Sequence, residues 1–199
     1  DPKSWLGNKL PFFDKDAKII AFLAFYTPPV VINTDMVRPD QIKSYYDLLK
    51  PEWKGKMAMA DPTVSGTSRT WVAYMMLREL GQDKGREFME RLIKQEPFIT
   101  RDDRLIVEWV TRGKYPLVIG PYSQAVTELQ LAGAPLKWIK MAEGGYITPA
   151  GGGVGLFTQR PSTNAAVVFL NWLLTRESQA VFAKNYGAPS ARLDIPPDV

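Results

Sequence analysis

The sequence predicts an α/β fold, and three observations support this prediction. Predicted strands and helices alternate between residues 57 and 131, which is the pattern of a layer built from βαβ units. The 199 residues are enough for one large domain or for two small lobes. A hydrophobic content of 45% and a charged content of 23% are typical of a globular chain.

The predicted strands are short apolar runs, most of them bounded by proline, glycine or polar residues. Pro28 and Pro29 separate the first two runs, because proline cannot donate a hydrogen bond to a neighbouring strand. The run at 116–120 is apolar without alternation, as expected of a strand buried on both faces. The predicted strands cover residues 19–26, 30–33, 57–60, 98–100, 116–120, 136–141 and 154–157.

The predicted helices show apolar residues at helical spacing or follow a residue that can cap them. Gly81 stands at a C-cap position, Asp83 can cap the next helix, and Ser162 caps a later one. The predicted helices cover residues 41–49, 71–80, 83–93, 105–113, 125–131, 162–174 and 177–186.

The most informative segment is the polar loop at residues 61–70, which lies between a predicted strand and a predicted helix. Ser, Gly and Thr at a helix start present unpaired backbone N–H groups, hydroxyls and the positive end of the helix dipole. Such a loop can hold an anionic or strongly polar ligand. The alternative is an ordinary N-cap on a surface helix, since Ser and Thr often cap helices.

Two further polar clusters also follow predicted strands, at residues 100–103 and 121–124. In open α/β sheets, ligands bind outside the carboxyl ends of the strands. Three such loops at one edge of a sheet would converge on a single pocket. Loops after strands are polar in any case, so surface loops without a ligand are the alternative.

Two interpretations are open for each of three features: Arg69, Tyr122 and the glycine-rich segment 144–155. Arg69 lies in the first helical turn, an unfavourable place for a cation, and either clamps an anion or is an exposed side chain beside a carboxylate. Tyr122 either stacks on or hydrogen-bonds a ligand, or packs under its loop. The glycine-rich segment 144–155 lacks the Gly-Lys-Ser/Thr ending of a Walker loop. It is either flexible backbone between two lobes or backbone close to a ligand.

Composition excludes several classes of function. The sequence has no histidine and no cysteine, which removes the usual zinc sites and nucleophiles activated by histidine. We therefore expect no catalytic residues, no metal site and no cofactor. The net charge of +4 comes from Lys and Arg scattered among Asp and Glu, so we expect no nucleic-acid partner. No apolar run approaches the roughly 20 residues of a membrane span.

Four blocks of the sequence resemble the periplasmic solute-binding proteins of ABC importers, in the bilobal class that takes ferric iron, phosphonates, thiamine or polyamines. Residues 46–56 resemble the family's "DLL-P-WKGK" block, and Asp61-Pro62 with Ser65-Gly66-Thr67 is similar to its "DP…SGT" ligand loop. Residues 169–179 resemble its "FLLS-E-Q" helix pair, and residues 187–192 resemble its closing "G-PSR" turn. Together the blocks span roughly residues 40–195 in the family's order.

The resemblance implies a type II periplasmic-binding-protein fold with two lobes joined by hinge strands, the first lobe being incomplete because a long N-terminal segment has no counterpart. Residues 1–45 would hold part of lobe I and the first hinge strand, residues 46–138 lobe II, and residues 139–199 the second hinge strand and the C-terminal part of lobe I. The implied function is to capture a small, anionic solute between the lobes and deliver it to permease subunits. The location would be the periplasm, or the outside of a Gram-positive cell with a lipid anchor.

The expected ligand contacts combine the matched loop with the other two polar clusters and the glycine-rich segment 144–155. They are Ser65, Gly66, Thr67, Ser68, Arg69, Arg101, Tyr122 and Tyr146. A helix N-terminus with a fork-shaped arginine suits phosphate, phosphonate or carboxylate. Ferric-binding members use a Tyr-Tyr pair, often with His, whereas the loop at 121–124 carries only Tyr122. A ferric-iron carrier remains an alternative, and an enzyme or sensor domain on the same fold is a further one.

Overall fold

The chain is divided into two compact units in a computed structural model, which describes residues 1–23, 25–64, 66–148, 152–186 and 189–196. Unit 1 comprises Asp1–Tyr26 and Ile147–Val199, and unit 2 comprises Thr27–Tyr146. The chain passes from one unit to the other in β2 (Phe25–Thr27) and in β8 (Tyr146–Thr148), and these two strands pair with each other.

Unit 2 is built on a five-stranded sheet with the strand order β5-β4-β6-β3-β7. Strand β4 is parallel to both β5 and β6, which confirms the parallel layer predicted between residues 57 and 131. Strand β3 is antiparallel to β6 and β7, a reversal that the sequence pattern does not reveal. The strands are β3 Val30–Asn33, β4 Met57–Ala60, β5 Phe98–Thr100, β6 Leu117–Ile119 and β7 Leu136–Ile139.

Helices cover both faces of this sheet because its central strands are apolar on both sides. In β4, Met57 and Met59 face one core together with Trp71 and Phe88, while Ala58 and Ala60 face a second core with Ile106 and Val126. This is the period-two alternation of a strand. The helices are α1 Thr67–Tyr74, which continues as a π-helix over Met75–Glu79, α2 Gln82–Ile93, α3 Asp103–Thr111 and α4 Ser123–Leu131.

Unit 1 has less regular structure. Strand β1 (Ile19–Ala21) pairs antiparallel with β9 (Gly153–Gly155), and helices α5 (Thr163–Leu173) and α6 (Arg176–Tyr186) follow. Ser162 caps α5 by accepting a hydrogen bond from the N–H of Ala165, as the sequence predicts. The buried core of this unit is small and consists of Trp5, Phe22, Leu23, Leu173 and Ala191.

Several predicted elements differ from the observed ones. The helix predicted over 41–49 is wrong, because the chain forms 3₁₀ helices at Pro39–Gln41 and Tyr45–Leu49. The carboxylate of Asp47 accepts hydrogen bonds from the N–H groups of Lys43 and Ser44, which favours tight turns over an α-helix.

The other differences concern element boundaries, and two of them are larger than a shift of an end. Residues predicted as one strand at 19–26 form β1 and β2, with an isolated bridge between Leu23 and Ser190. Gly81, and not Asp83, stands at the N-cap of α2, where its φ of 79° is one that glycine adopts without steric cost. In the part of the chain that the structure describes, no helix is both long and apolar enough to cross a membrane.

Candidate functional site

The candidate site lies at one edge of the unit 2 sheet. Because β4, β5 and β6 are parallel, the loops that follow them all start at this edge. The antiparallel β3 begins at the same edge, where the N–H of Gly120 donates to the carbonyl of Pro29 at 2.6 Å. The three polar clusters singled out in the sequence follow these strands.

Helix α1 begins at this edge without a side-chain cap. Gly66 occupies its N-cap position with a φ of 138° and a ψ of −171°, and no side chain accepts a hydrogen bond there. Helix α4 is likewise uncapped at Tyr122, whereas Asp102 caps α3 by accepting from the N–H of Leu105. The first turn of α1 therefore presents backbone N–H donors and the positive end of its dipole.

Ser68 lies in the first turn of α1 and is only 2% exposed. Its hydroxyl has no hydrogen-bond partner among the described residues. A buried hydroxyl without a partner costs free energy, so most buried hydroxyls are paired with protein or water. This group is therefore a candidate donor or acceptor for a ligand at the start of α1.

Gly120 brings the turn after β6 directly against this helix start. A Cβ at Gly120 would lie 2.7 Å from the Cα of Ser68, and the φ of Gly120 is +65°. Both facts require glycine at this position. The turn after β6 and the first turn of α1 therefore form one continuous surface.

Arg69 and Arg101, the two arginines among the predicted contacts, both donate hydrogen bonds to the loop after β4. Arg69 donates from Nη2 to the carbonyl of Thr63 at 2.8 Å, and Arg101 donates from Nε to Asp61 at 3.1 Å. The hydroxyl and the N–H of Thr63 donate to the other oxygen of Asp61. These hydrogen bonds from Thr63, and then the one from Arg101, hold the pKa of Asp61 below its usual range.

The two candidate tyrosines occupy different positions. The hydroxyl of Tyr146 donates to the carbonyl of Thr67 at 3.1 Å, and its ring lies 5.6 Å from the ring of Tyr74. Tyr122 is 46% exposed, and its hydroxyl donates to the side chain of Gln124. No hydrogen bond to α1 is made by Tyr122 among the described residues.

The structure thus brings most of the predicted contact residues near the start of α1. Gly66, Thr67, Ser68 and Arg69 form that start, Tyr146 reaches it directly, and Arg101 is linked to it through the loop. Tyr122 lies two residues after Gly120 without a direct hydrogen bond to the helix. Ser65 lies outside the described residues.

Four residues of this edge are absent from the predicted contacts: Asp61, Thr63, Asp103 and Gly120. Asp103 has a carboxylate oxygen 3.8 Å from the position that a Cβ would take on Gly66. Burial, and then the neighbouring Asp102, raise the pKa of Asp103. Asp61 lies in the polar loop after β4, and Asp103 lies in the polar cluster after β5. This position after a strand is the one sequence signal that could have indicated either residue as part of the site.

The groups at this edge of the sheet can bind a ligand through hydrogen bonds. The edge combines backbone N–H groups, the hydroxyl of Ser68 and two guanidinium groups with the carboxylate of Asp103. Within the described ranges, no group of three or more Asp, Glu, His or Cys side chains could hold a metal ion.

Comparison with known proteins places the chain in a family. Residues 23–187 match the family described as bacterial extracellular solute-binding protein, and the chain belongs to this family. The sequence is 26% identical over 192 residues to a probable ABC transporter periplasmic-binding protein, y4fP, of Sinorhizobium fredii. That match covers 92% of this chain and 52% of the relative. The chain therefore spans about half the length of this relative.

Two solved structures have the same fold. The periplasmic binding protein AfuA from Actinobacillus pleuropneumoniae, with fructose-6-phosphate bound, has a TM-score of 0.66 at 23% identity, over 87% of this chain and 54% of that one. A ferric binding protein from Campylobacter jejuni has a TM-score of 0.75 at 19% identity, over 94% and 62%. At these identities the likeness concerns the fold, which is that of the type II periplasmic binding proteins.

Proposed function

We propose that this chain is the solute-binding component of an ABC importer and that its solute carries an oxyanion. The observation that carries the proposal is the uncapped start of α1 with the buried, unpartnered hydroxyl of Ser68. Backbone N–H groups at a helix N-terminus favour phosphate, phosphonate or carboxylate. The guanidinium groups of Arg69 and Arg101 add positive charge and fork-shaped donors at the same edge.

The wider role rests on the family. The proposal includes a small solute and permease subunits as partners, a periplasmic location, and closure of two lobes around the solute. The lobe limits implied by the sequence blocks, at residues 45/46 and 138/139, stay a prediction, and they differ from the limits of the compact units at 26/27 and 146/147. The proposal assigns no enzymatic activity to the chain, and the lack of histidine and cysteine supports this. Sugar phosphate binding by AfuA is an example of an oxyanion held by a protein of this fold.

A ferric-iron carrier is the second candidate. The half-exposed side chain of Tyr122 at the same edge favours it, as does the fold shared with the ferric binding protein of Campylobacter jejuni. One tyrosine needs a carried anion or further oxygen ligands to complete a ferric site. A visible absorption band on adding ferric ion, lost in Tyr122→Phe, would support this candidate over the oxyanion carrier.

The test of the proposal is calorimetric titration with inorganic phosphate, methylphosphonate, aminomethylphosphonate, lactate and ferric ion. We expect at least one of the oxyanions to bind. Arg69→Ala should weaken its binding by about 1.5–3 kcal/mol, since a hydrogen bond to a charged group is lost. Ser68→Ala should also weaken it without lowering the stability of the free protein, because the hydroxyl has no partner there to lose.

Arg91→Ala is the matched control for charge, because Arg91 lies on α2 and pairs only with Glu87 among the described residues. It should leave the affinity unchanged. Unchanged affinity in Arg69→Ala would remove Arg69 from the site. Absence of binding by every oxyanion would overturn the proposed function.

A further inference from the structure

Asp103 is a charged group at the candidate site that no structural role in the described chain accounts for. Among the described residues, its carboxylate makes no hydrogen bond and no ion pair. Its charged neighbours are engaged elsewhere: Arg101 pairs with Asp61, and Arg104 pairs with Glu108 and Glu128. The cap of α3 is supplied by Asp102, so Asp103 is not required for capping.

The position of Asp103 sets its carboxylate beside the start of α1. One carboxylate oxygen lies 3.8 Å from the place where Gly66 would carry a Cβ. Gly66 is the N-cap of α1, and Ser68, two residues further on, has the buried hydroxyl without a partner. A donor-rich helix start and an acceptor-only carboxylate therefore face the same small region.

These two groups place opposite demands on a ligand. The helix start and the hydroxyl of Ser68 favour negative charge, whereas an ionised carboxylate repels it. An oxyanion without a hydrogen-bond donor would satisfy the first and be repelled by the second. A molecule that carries a hydrogen-bond donor next to its oxyanion satisfies both.

We infer that Asp103 accepts a hydrogen bond from the solute and so selects oxyanions that carry a hydroxyl or ammonium group on a neighbouring atom. This inference rests on the proposed function, because it assigns the oxyanion to the start of α1. It names the class of solute more narrowly: a hydroxylated or aminated phosphonate, phosphate or carboxylate. Asp103 is thereby a specificity residue that discriminates against oxyanions without such a donor.

Three phosphonates of nearly equal size test this selection by calorimetric titration at pH 8. Ethylphosphonate has a methyl group where hydroxymethylphosphonate has a hydroxyl and aminomethylphosphonate has an ammonium group. We expect at least one of the latter two to bind at least about tenfold more tightly than ethylphosphonate, the size of effect expected for a hydrogen bond to a charged acceptor. The tighter of the two identifies the donor that Asp103 accepts.

The variant Asp103→Asn keeps the shape of the side chain and removes its charge. We expect it to reduce the preference to within about threefold, through weaker binding of the donor ligand and tighter binding of ethylphosphonate. Asp102→Asn is the matched control, because it removes the same charge one residue away and asparagine still caps a helix. It should keep the preference of the wild-type protein.

The outcomes separate this inference from the function on which it rests. Equal affinity of the wild-type protein for all three phosphonates overturns the inference and leaves the oxyanion function standing. A preference that persists both in Asp103→Asn and in Asp103→Ala, which has no acceptor oxygen, overturns it as well, because the selection then comes from another group. Failure of all three phosphonates, of inorganic phosphate and of the hydroxycarboxylate lactate to bind overturns the proposed function and the inference together.

Discussion

Two aspartates at the candidate site have pKa values shifted in opposite directions. The hydrogen bonds from Thr63, followed by that from Arg101, lower the pKa of Asp61, whereas burial and Asp102 raise that of Asp103. The sequence places both residues in polar loops after strands but does not distinguish them. The lowering at Asp61 comes mainly from Thr63 in the same loop, whereas the raising at Asp103 comes mainly from burial, which depends on the packing of segments far apart in the sequence.

This contrast predicts opposite dependences of stability on pH. The lowered pKa of Asp61 stabilises the folded state above the ordinary value of 3.8, and this is lost as pH falls through the folded pKa. The raised pKa of Asp103 favours the folded state at acidic pH, and this is lost as pH rises through the folded pKa. Carbon-13 NMR titration of the side-chain carboxyls should place the Asp61 midpoint below 3.8 and the Asp103 midpoint above it.

The variant Thr63→Val tests the cause of the Asp61 shift, since it removes the hydroxyl that contributes most to it. The Asp61 midpoint should rise towards 3.8 while the Asp103 midpoint stays where it is. An unchanged Asp61 midpoint would show that the hydroxyl of Thr63 does not hold this carboxylate.

For Arg69, the sequence predicts the position of the residue but not its hydrogen-bond partner. The sequence leaves open whether this side chain clamps an anion or pairs with a carboxylate. The structure shows a third arrangement, a hydrogen bond to the carbonyl of Thr63. Local sequence could place Arg69 in the first turn of α1, but its partner depends on the path of the loop after β4.

At the scale of elements, the sequence predicts the order of strand, loop and helix better than their close contacts. The helix at 162–174 was predictable because a capping serine and an apolar run define it locally. The strand at 116–120 was predicted one residue too long at each end, since β6 covers Leu117–Ile119. Gly120 leaves β6 with a positive φ and packs on Ser68, and that contact is between segments far apart in sequence.

The contact between Gly120 and Ser68 predicts an unusually costly alanine substitution. Gly120→Ala should lose about 1–2 kcal/mol of unfolding free energy from its positive φ, and about 1–3 kcal/mol more from the overlap with α1. Gly133→Ala is the matched control, because Gly133 also has a positive φ, of 87°, but has open space around its Cβ position. Urea denaturation of both variants measures the difference.

Equal losses in the two variants would show that the turn after β6 can move away from α1 at little cost. A larger loss in Gly120→Ala, together with weaker oxyanion binding, would connect this close packing to the candidate site.

The whole molecule has one well-packed unit and one with a small core. Unit 2 buries large side chains on both faces of its sheet. Unit 1 exposes several apolar side chains on α5 and α6, where Phe169, Trp172 and Val181 are more than half exposed. These three side chains line an apolar cavity of about 650 Å³.

The order of the elements in both units follows from sequence, but the antiparallel insertion of β3 and the small core of unit 1 arise from non-local packing.

This asymmetry predicts that unit 1 opens more readily than unit 2. Regions with few buried apolar contacts unfold locally at lower free energy, so backbone amides of unit 1 should exchange with deuterium faster than those of β3, β4 and β6. Trp5→Ala, in the core of unit 1, should accelerate exchange in that unit alone, and Phe88→Ala should do so in unit 2. Mass spectrometry of exchanged peptides distinguishes the units. Equal protection throughout, or a loss of protection in both units from either substitution, would mean that the chain unfolds as one cooperative body.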